Sequence, residues 1–563
     1  MDAALTMRQA TTRQDVTRWL LTGIGLALAC SLALTEGLRT TRGLRWAPGQ
    51  DLSRDQSTAL SIRDGHLFAD PAYRGEWAWY NPLVPGIVAA VSASTGHPVS
   101  VVYARLGAYA NLLAPICLFI LLSAMFDAWA GCFAVVGFLF LIPEHEFAWL
   151  NAAYSPWLMP LHFVQGLFYL ALLAVWRAWR VGTLRAFALA GAATGLVFLG
   201  HTAPAVMLGG TMLALTGAAL ITPPLSIGAS RRHVAVALLM FVCVAALVSA
   251  PYLVSVVGHY GGRILNAAPS RYTAAELEPD RLFAFLRQQI GVSLAGVVSA
   301  MGWARVVVRY RDARSRVLLA AAASTVCGLA YSSAVLFPWN DLGLVPSVVP
   351  SFHFFYYARA FEAMGFGIGL AGCAQWAGRM LAKAPALRQS QAISNTGLHV
   401  LVCAVLGVMV FRSLDDYRRR PDFVRERIEA LQMFAAPDLS GLYRFIVTST
   451  PTDAVFLASD SIGQSVVGVA GRKVVVLHKF FSNPFVDWEA RNRDRDTMQG
   501  ALASGDWRGF VDVAAAYDVQ FVVTEGRLPS ETALACCLRV AWESGGWIVY
   551  AVRSYPLNPS SAP

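Results

Sequence analysis

The strongest constraint on this chain is a series of apolar segments between residues 17 and 412, each close to the ~20 residues that carry a helix across ~30 Å of hydrocarbon. About eleven runs meet that length: 17–36, 99–123, 128–143, 157–176, 186–201, 203–222, 234–257, 289–307, 317–337, 360–378 and 396–412. No water reaches the bilayer interior, so each run must satisfy its own backbone donors and acceptors, and helix is the expectation throughout. The balance of residues agrees. Hydrophobic residues make up 56% and charged residues 14%, against roughly 25% charged in soluble proteins, and the mean hydropathy is +0.50.

The breaks between the runs alternate in charge. Arg8, Arg13 and Arg18 precede the first run; Arg177, Arg180 and Arg185, then Arg231 and Arg232, then Arg309, Arg311, Arg314 and Arg316, then Arg379, Lys383 and Arg388 fill every second break. Cytoplasmic loops retain such cations. The N-terminus is therefore expected inside, with 36–98, 144–156, 258–288, 338–359 and everything beyond 412 outside. The net charge of +10 and pI of 9.3 then express topology, and no nucleic-acid partner is expected. Trp19 to Leu34 has the apolar core of a signal sequence, but another span follows, so it is expected to stay as an anchor. Cys30, Cys117, Cys132, Cys243, Cys327, Cys373 and Cys403 lie in apolar runs, where a thiol behaves as a small hydrophobe. Ala/Arg-rich usage without eukaryotic retention signals suits a bacterial inner membrane.

The composition changes abruptly after the last run. Residues 1–412 form the expected transmembrane domain, 413–435 a charged juxtamembrane helix, and 436–563 an extracytoplasmic domain. In the last segment β-rich stretches at Ala454 to Ala458, Lys473 to His478, Gln520 to Thr524, Leu538 to Trp542 and Trp547 to Val552 alternate with helical stretches at Trp488 to Leu502 and Trp507 to Tyr517. The fold class expected is thus a multi-pass α-helical membrane protein with a C-terminal soluble α/β domain. Within that domain Gly471-Arg472-Lys473 and Ser459-Asp460 are weak signals, and a lid, an acceptor-binding surface or a plain cap are all compatible readings.

The first outer loop is the most polar. It reads Arg54-Asp55-Gln56-Ser57-Thr58-Ala59, then Arg63-Asp64-Gly65-His66, then Trp77-Ala78-Trp79-Tyr80-Asn81-Pro82-Leu83-Val84-Pro85. An aspartate followed by three residues and Ala59, then a Tyr/Pro-rich return towards the bilayer, resembles the GT-C superfamily of membrane glycosyltransferases. The resemblance implies a polyprenyl-phosphate-linked sugar as donor, an inverting transfer outside the cytoplasm, and Asp55 as catalytic base. Gln56 and Thr58 stand where many members carry a second acidic residue and a Tyr. The chemistry favours a carboxylate independently: an acceptor hydroxyl attacking an anomeric carbon must lose a proton, and a general base within ~3 Å takes it. The other reading of Asp55 is pairing with Arg54, Arg63 or Arg74. Asp64 and Asp70, beside Gly65 and Pro71, read as turn or cap residues.

The second outer loop opens Pro143-Glu144-His145-Glu146. In extended backbone Glu144 and Glu146 point the same way and could hold one hard divalent cation, Mg or Mn, the only cofactor suggested. In the superfamily an acidic pair in this loop is implied in catalysis or in steadying the departing lipid phosphate. The alternatives are a solvated acidic loop or Glu144 acting alone. A phosphate leaving group also needs fixed cations, which guanidinium groups supply bidentately. Arg263 and Arg271 in 258–288 are candidates, whereas Arg281 and Arg287 read as paired with nearby acids. Arg359, where a span re-enters, is a further phosphate candidate, with snorkelling as its alternative. His353, Tyr357 and His201 could touch substrate, or belong to the aromatic belt and a helix turn. Expected partners are the lipid-linked donor, a glycan, lipid or protein acceptor, and membrane lipids. A lipid-linked saccharide flippase, and an inactive envelope-assembly subunit, are the competing readings.

Overall fold

The computed structural model describes residues 2–141, 152–221, 230–271, 293–336, 349–381, 383, 391–433, 437–529 and 535–553. Among the described residues seven helical stretches are long and apolar enough to cross a membrane: Val16–Thr41, Val99–Met125, Pro160–Val181, Thr202–Ile221, Arg231–Val248, Ala313–Ser332 and Gly397–Gln432, the last broken near Arg420. Four shorter apolar helices accompany them, Leu83–Thr95, Ala128–Leu141, Leu184–Gly200 and Leu294–Val308. The expected run at 360–378 lies in the helix Ser351–Leu381. Over the described residues each expected run therefore falls mainly on helix, which is the outcome an unhydrated backbone requires.

The chain divides into two compact units. The first comprises residues 1–42, 106–249 and 273–425. Its helices close on one another through glycine, because among apolar neighbours close backbone approach replaces the hydrophobic drive. A methyl group on Gly302 would collide with the carbonyl of Gly365, and one on Gly369 with that of Val298, so Leu294–Val308 and Ser351–Leu381 cross at their backbones. At the break between the runs 99–123 and 128–143, Asp127 caps its helix by accepting from Ala130 N at 2.9 Å, and its other oxygen takes the Gln375 amide at 2.8 Å. The last apolar helix runs on to Arg418, past the expected end at 412. Pro421, with no N–H to give and a ring that crowds the preceding turn, starts a new helix, Pro421–Gln432.

The second unit comprises residues 43–105, 250–272 and 426–563, so the first outer loop belongs with the C-terminal segment. Its sheet has the order β2-β1-β3-β5-β4, where β1 is Val455–Leu457, β2 Lys473–Val474, β3 Val519–Glu525, β4 Leu538–Ser544 and β5 Trp547–Val552. β1 pairs parallel with β2 and β3, while β5 pairs antiparallel with β3 and β4. Side chains alternate across the sheet: Phe456 and Val549 enter one apolar cluster, and Val455, Leu457, Ile548 and Tyr550 the other. The strand expected over Lys473 to His478 ends early. By Leu477 the backbone bonds side chains, its N–H donating to the Tyr73 hydroxyl at 3.1 Å and its carbonyl accepting from Trp488 Nε1 at 2.7 Å.

Candidate functional site

Asp55 lies on the helix Gln50–Arg63. Gly49, with φ 79°, turns the chain into that helix, and Asp51 in its first turn meets the positive end of the dipole. Asp64 sits at the C-cap and Gly65, at φ 93°, turns the chain out, so Asp64 has the turn role its sequence context suggests. Asp55 is 0% exposed. Arg54 Nε and Nη2 donate to its Oδ1 at 3.1 and 3.0 Å, while Oδ2 is buried without a hydrogen-bond partner among the described residues. Its backbone carbonyl accepts from the Tyr103 hydroxyl at 3.1 Å.

Arg54 is itself held on three sides. Nη1 lies 3.0 Å from Asp51 Oδ1, Nη2 donates to Tyr80 Oη at 2.8 Å, and the guanidinium carbon stands 3.9 Å from the Tyr80 ring centroid. Burial pulls against the guanidinium, but Tyr80, Asp55 and Asp51 together push its pKa up. The pairing reading of Asp55 with Arg54 is thus realised for one oxygen, and the second oxygen remains for other chemistry. Burial pushes the Asp55 carboxyl up to about 6, outweighing the lowering by Arg54. At neutral pH such a group is ionised yet basic enough to take a proton.

The loop that follows this helix is held by contacts that span hundreds of residues and that the sequence does not mark. Asp70, buried, accepts from Ala72 N at 2.7 Å and Tyr73 N at 3.1 Å, as a turn aspartate does, and its Oδ2 takes the Asn483 amide at 2.8 Å. The Lys473 ammonium donates to the Asp70 carbonyl. Tyr73 Oη meets Ser482 Oγ at 2.6 Å. From the 250–272 stretch, the Tyr260 hydroxyl accepts from Trp77 N at 2.7 Å and donates towards Trp77 O at 2.9 Å. The weak motif Gly471-Arg472-Lys473 is structural: Gly471 ends the helix Asp460–Ala470 with φ 66°, and Arg472 caps the helix Pro437–Ser449 by donating to the carbonyls of Val447 and Thr450 at 2.9 Å each.

The other expected site residues fall as follows. Glu144 and Glu146 lie outside the described residues. Among the described ones no cluster of three or more His, Cys, Asp or Glu stands ready for a metal. Arg263 is exposed in the second unit, after the turn at Gly261 and Gly262, and Arg271 closes the short helix Ala268–Arg271. In the first unit the His201 and His353 rings lie 4.5 Å apart. Tyr357 is buried against Phe168 at 4.9 Å, and its hydroxyl has no hydrogen-bond partner among the described residues. Arg359 forms an ion pair with Glu362, one turn on. Beside these residues runs a buried chain that sequence reasoning missed: His162 Nδ1 to Tyr356 Oη at 3.0 Å, Tyr356 Oη to Gln165 Oε1 at 2.8 Å, and Gln165 Nε2 to Tyr169 Oη at 2.8 Å. A His and a Gln three residues apart inside an apolar run were its only sequence signal.

No family model matches the chain, and no curated protein matches it in sequence. Solved structures do. ArnT from Cupriavidus metallidurans bound to undecaprenyl phosphate is 12% identical with a TM-score of 0.54, over 93% of this chain and 97% of that one. The arabinofuranosyltransferase AftD from Mycobacteria is 15% identical with a TM-score of 0.53, over 94% of this chain and 40% of that one. The oligosaccharyltransferase AglB from Archaeoglobus fulgidus, in complex with an inhibitory peptide and a dolichol-phosphate, is 12% identical with a TM-score of 0.50, over 90% of this chain and 69% of that one. What these proteins share with the present one is architecture: the chain has the fold of the membrane proteins ArnT, AftD and AglB.

Proposed function

We propose that the protein transfers a sugar from a polyprenyl-phosphate donor to an acceptor hydroxyl on the extracytoplasmic face of a bacterial inner membrane, with inversion and with Asp55 as general base. One observation carries the reading: a fully buried carboxylate, one oxygen fixed by Arg54 and the other without a partner among the described residues, in a chain of GT-C fold. Fixing one oxygen orients the other, and orientation is what makes a base effective. The donor class is supported by the neighbours, since the ArnT structure holds undecaprenyl phosphate and the AglB structure a dolichol-phosphate. In an inverting step the Asp55 oxygen takes the hydroxyl proton, the acceptor oxygen bonds the anomeric carbon, and the lipid phosphate leaves with the electron pair. Arg263, Arg271, Arg359, His353, Tyr357 and His201 are proposed for substrate and phosphate contacts. Glu144 and Glu146 are proposed to act there too, with or without a divalent cation. The C-terminal domain serves the acceptor side.

The test is transfer by purified protein from a polyprenyl-phosphate sugar extracted from membranes containing the protein. Asp55→Asn is expected to lower the rate by about 10²–10⁴-fold with the fold and lipid binding intact, and full activity of that variant would refute the assignment. A flippase is the second reading. The buried His162, Gln165, Tyr169 and Tyr356 chain favours it, because ionisable and polar groups inside apolar helices mark transport paths. Movement of the lipid across proteoliposomes without any change in glycan mass would select it.

A further inference from the structure

The helix Gln50–Arg63 presents more than the Arg54–Asp55 side. On another, Ser53 and Leu60 pack against Gly468 and Gly471. A third, with Gln56, Leu60 and Arg63, faces a cavity of about 700 Å³ that lies wholly within the second unit. That volume is within the ~300–1,000 Å³ typical of small-molecule sites.

Its wall combines three chemistries. Arg45 and Arg444 are exposed there and have no carboxylate partner among the described residues. The remaining cations are engaged, Arg63 with Asp64 at 3.2 Å and Arg472 with the carbonyls it caps. Trp46 and Tyr443 add aromatic faces. Gln56, 5% exposed, brings an amide, and Pro98, Val99 and Ser100 bring the first turn of the helix Val99–Ala110. The leading N–H groups of that turn have no acceptor within the helix and favour an anion. Two guanidinium groups without a carboxylate partner among the described residues, together with a helix start, call for negative charge. Aromatic faces and an amide suit a sugar ring, whose C–H face stacks and whose hydroxyls hydrogen-bond.

We propose that this cavity binds an acidic sugar unit of the acceptor, one bearing a phosphate or a carboxylate, and so selects which glycan reaches the enzyme. The term acceptor rests on the glycosyl-transfer reading; the binding does not. The test uses detergent-solubilised full-length protein and saturation-transfer NMR with glucose 1-phosphate, glucuronate and methyl glucoside, with inorganic phosphate and a polyprenyl phosphate as competitors. The acidic sugars are expected to bind at least about tenfold more tightly than methyl glucoside, and Arg45→Gln and Arg444→Gln each to weaken them about tenfold, the scale of a lost charge-assisted hydrogen bond. Equal binding of methyl glucoside, unchanged affinity in a folded double variant, or inorganic phosphate competing as well as glucose 1-phosphate would overturn the proposal. So would full displacement by polyprenyl phosphate, which assigns the cavity to the donor. Asp55→Asn is expected to bind the acidic sugars as the unaltered protein does. Binding without any transfer therefore sinks the enzymatic reading alone, and transfer without this binding sinks the cavity proposal alone.

Discussion

Asp55 joins two properties that pull in opposite directions, a charge-bearing role and complete burial. Its pKa of about 6 predicts that transfer rises with pH through about 6 and levels off above, because protonation removes the base. A pH–rate profile on the purified protein checks this, and a flat profile from pH 5 to 8 would count against Asp55. The same shift bears on stability. The folded carboxyl holds its proton more tightly than the unfolded one at 3.8, so folding is favoured at low pH and loses that advantage as pH rises from 3.8 through about 6. Asp55→Asn is accordingly expected to melt no lower than the unaltered protein at pH 7, with any gain vanishing below pH 3.8. At this scale the sequence marked Asp55 and its neighbour Arg54 and left base and ion pair both open; the structure realises the ion pair at one oxygen. What the two oxygens of one carboxylate meet depends on distant packing, and no residue pattern encodes which of them is taken.

Elements were far more legible than their partners. Length and hydropathy mark the runs that the described apolar helices occupy, apart from Leu83–Thr95, and β-rich composition marks the five strands, one of them longer than it is, because both signals are local. The break before Pro421 was also readable in principle, since proline cannot continue a helix. Hidden from the sequence was which element meets which: the Asp70–Asn483 bond joins residues 413 positions apart. One such meeting gives a prediction. A Cβ on Gly468 would lie 2.7 Å from Ser53 Cβ and 3.0 Å from its carbonyl, so the helix Asp460–Ala470 touches the helix carrying Asp55 at a glycine. Gly468→Val is expected to cost about 1–3 kcal/mol through overpacking and to slow transfer by shifting that helix. Thermal unfolding and initial rates measure both, and an unaltered melting point would show that Ser53 yields freely.

In the molecule as a whole, the C-terminal domain is not a finished object by itself. Ala72 and Tyr73 from the first outer loop are buried in the same apolar cluster as Leu442, Ile446, Phe456 and Val549. Two successive N–H groups, Leu265 and Asn266, both donate to the Pro484 carbonyl at 2.9 Å. Residues 437–553 expressed alone are therefore expected to lack a cooperative thermal transition, and supplying 43–105 is expected to restore one; calorimetry on the two samples decides it. Composition placed a boundary near 436, where polarity changes, whereas packing gathers three separate stretches into one unit. Polarity is a property of a segment, but a core is a property of whatever fills it. For inheritance this means that the exchangeable cassette is discontinuous in the gene. A homologue's C-terminal half, grafted at the polarity boundary, would arrive with a hole where Tyr73 belongs, so recombination should preserve loop and domain as a matched pair.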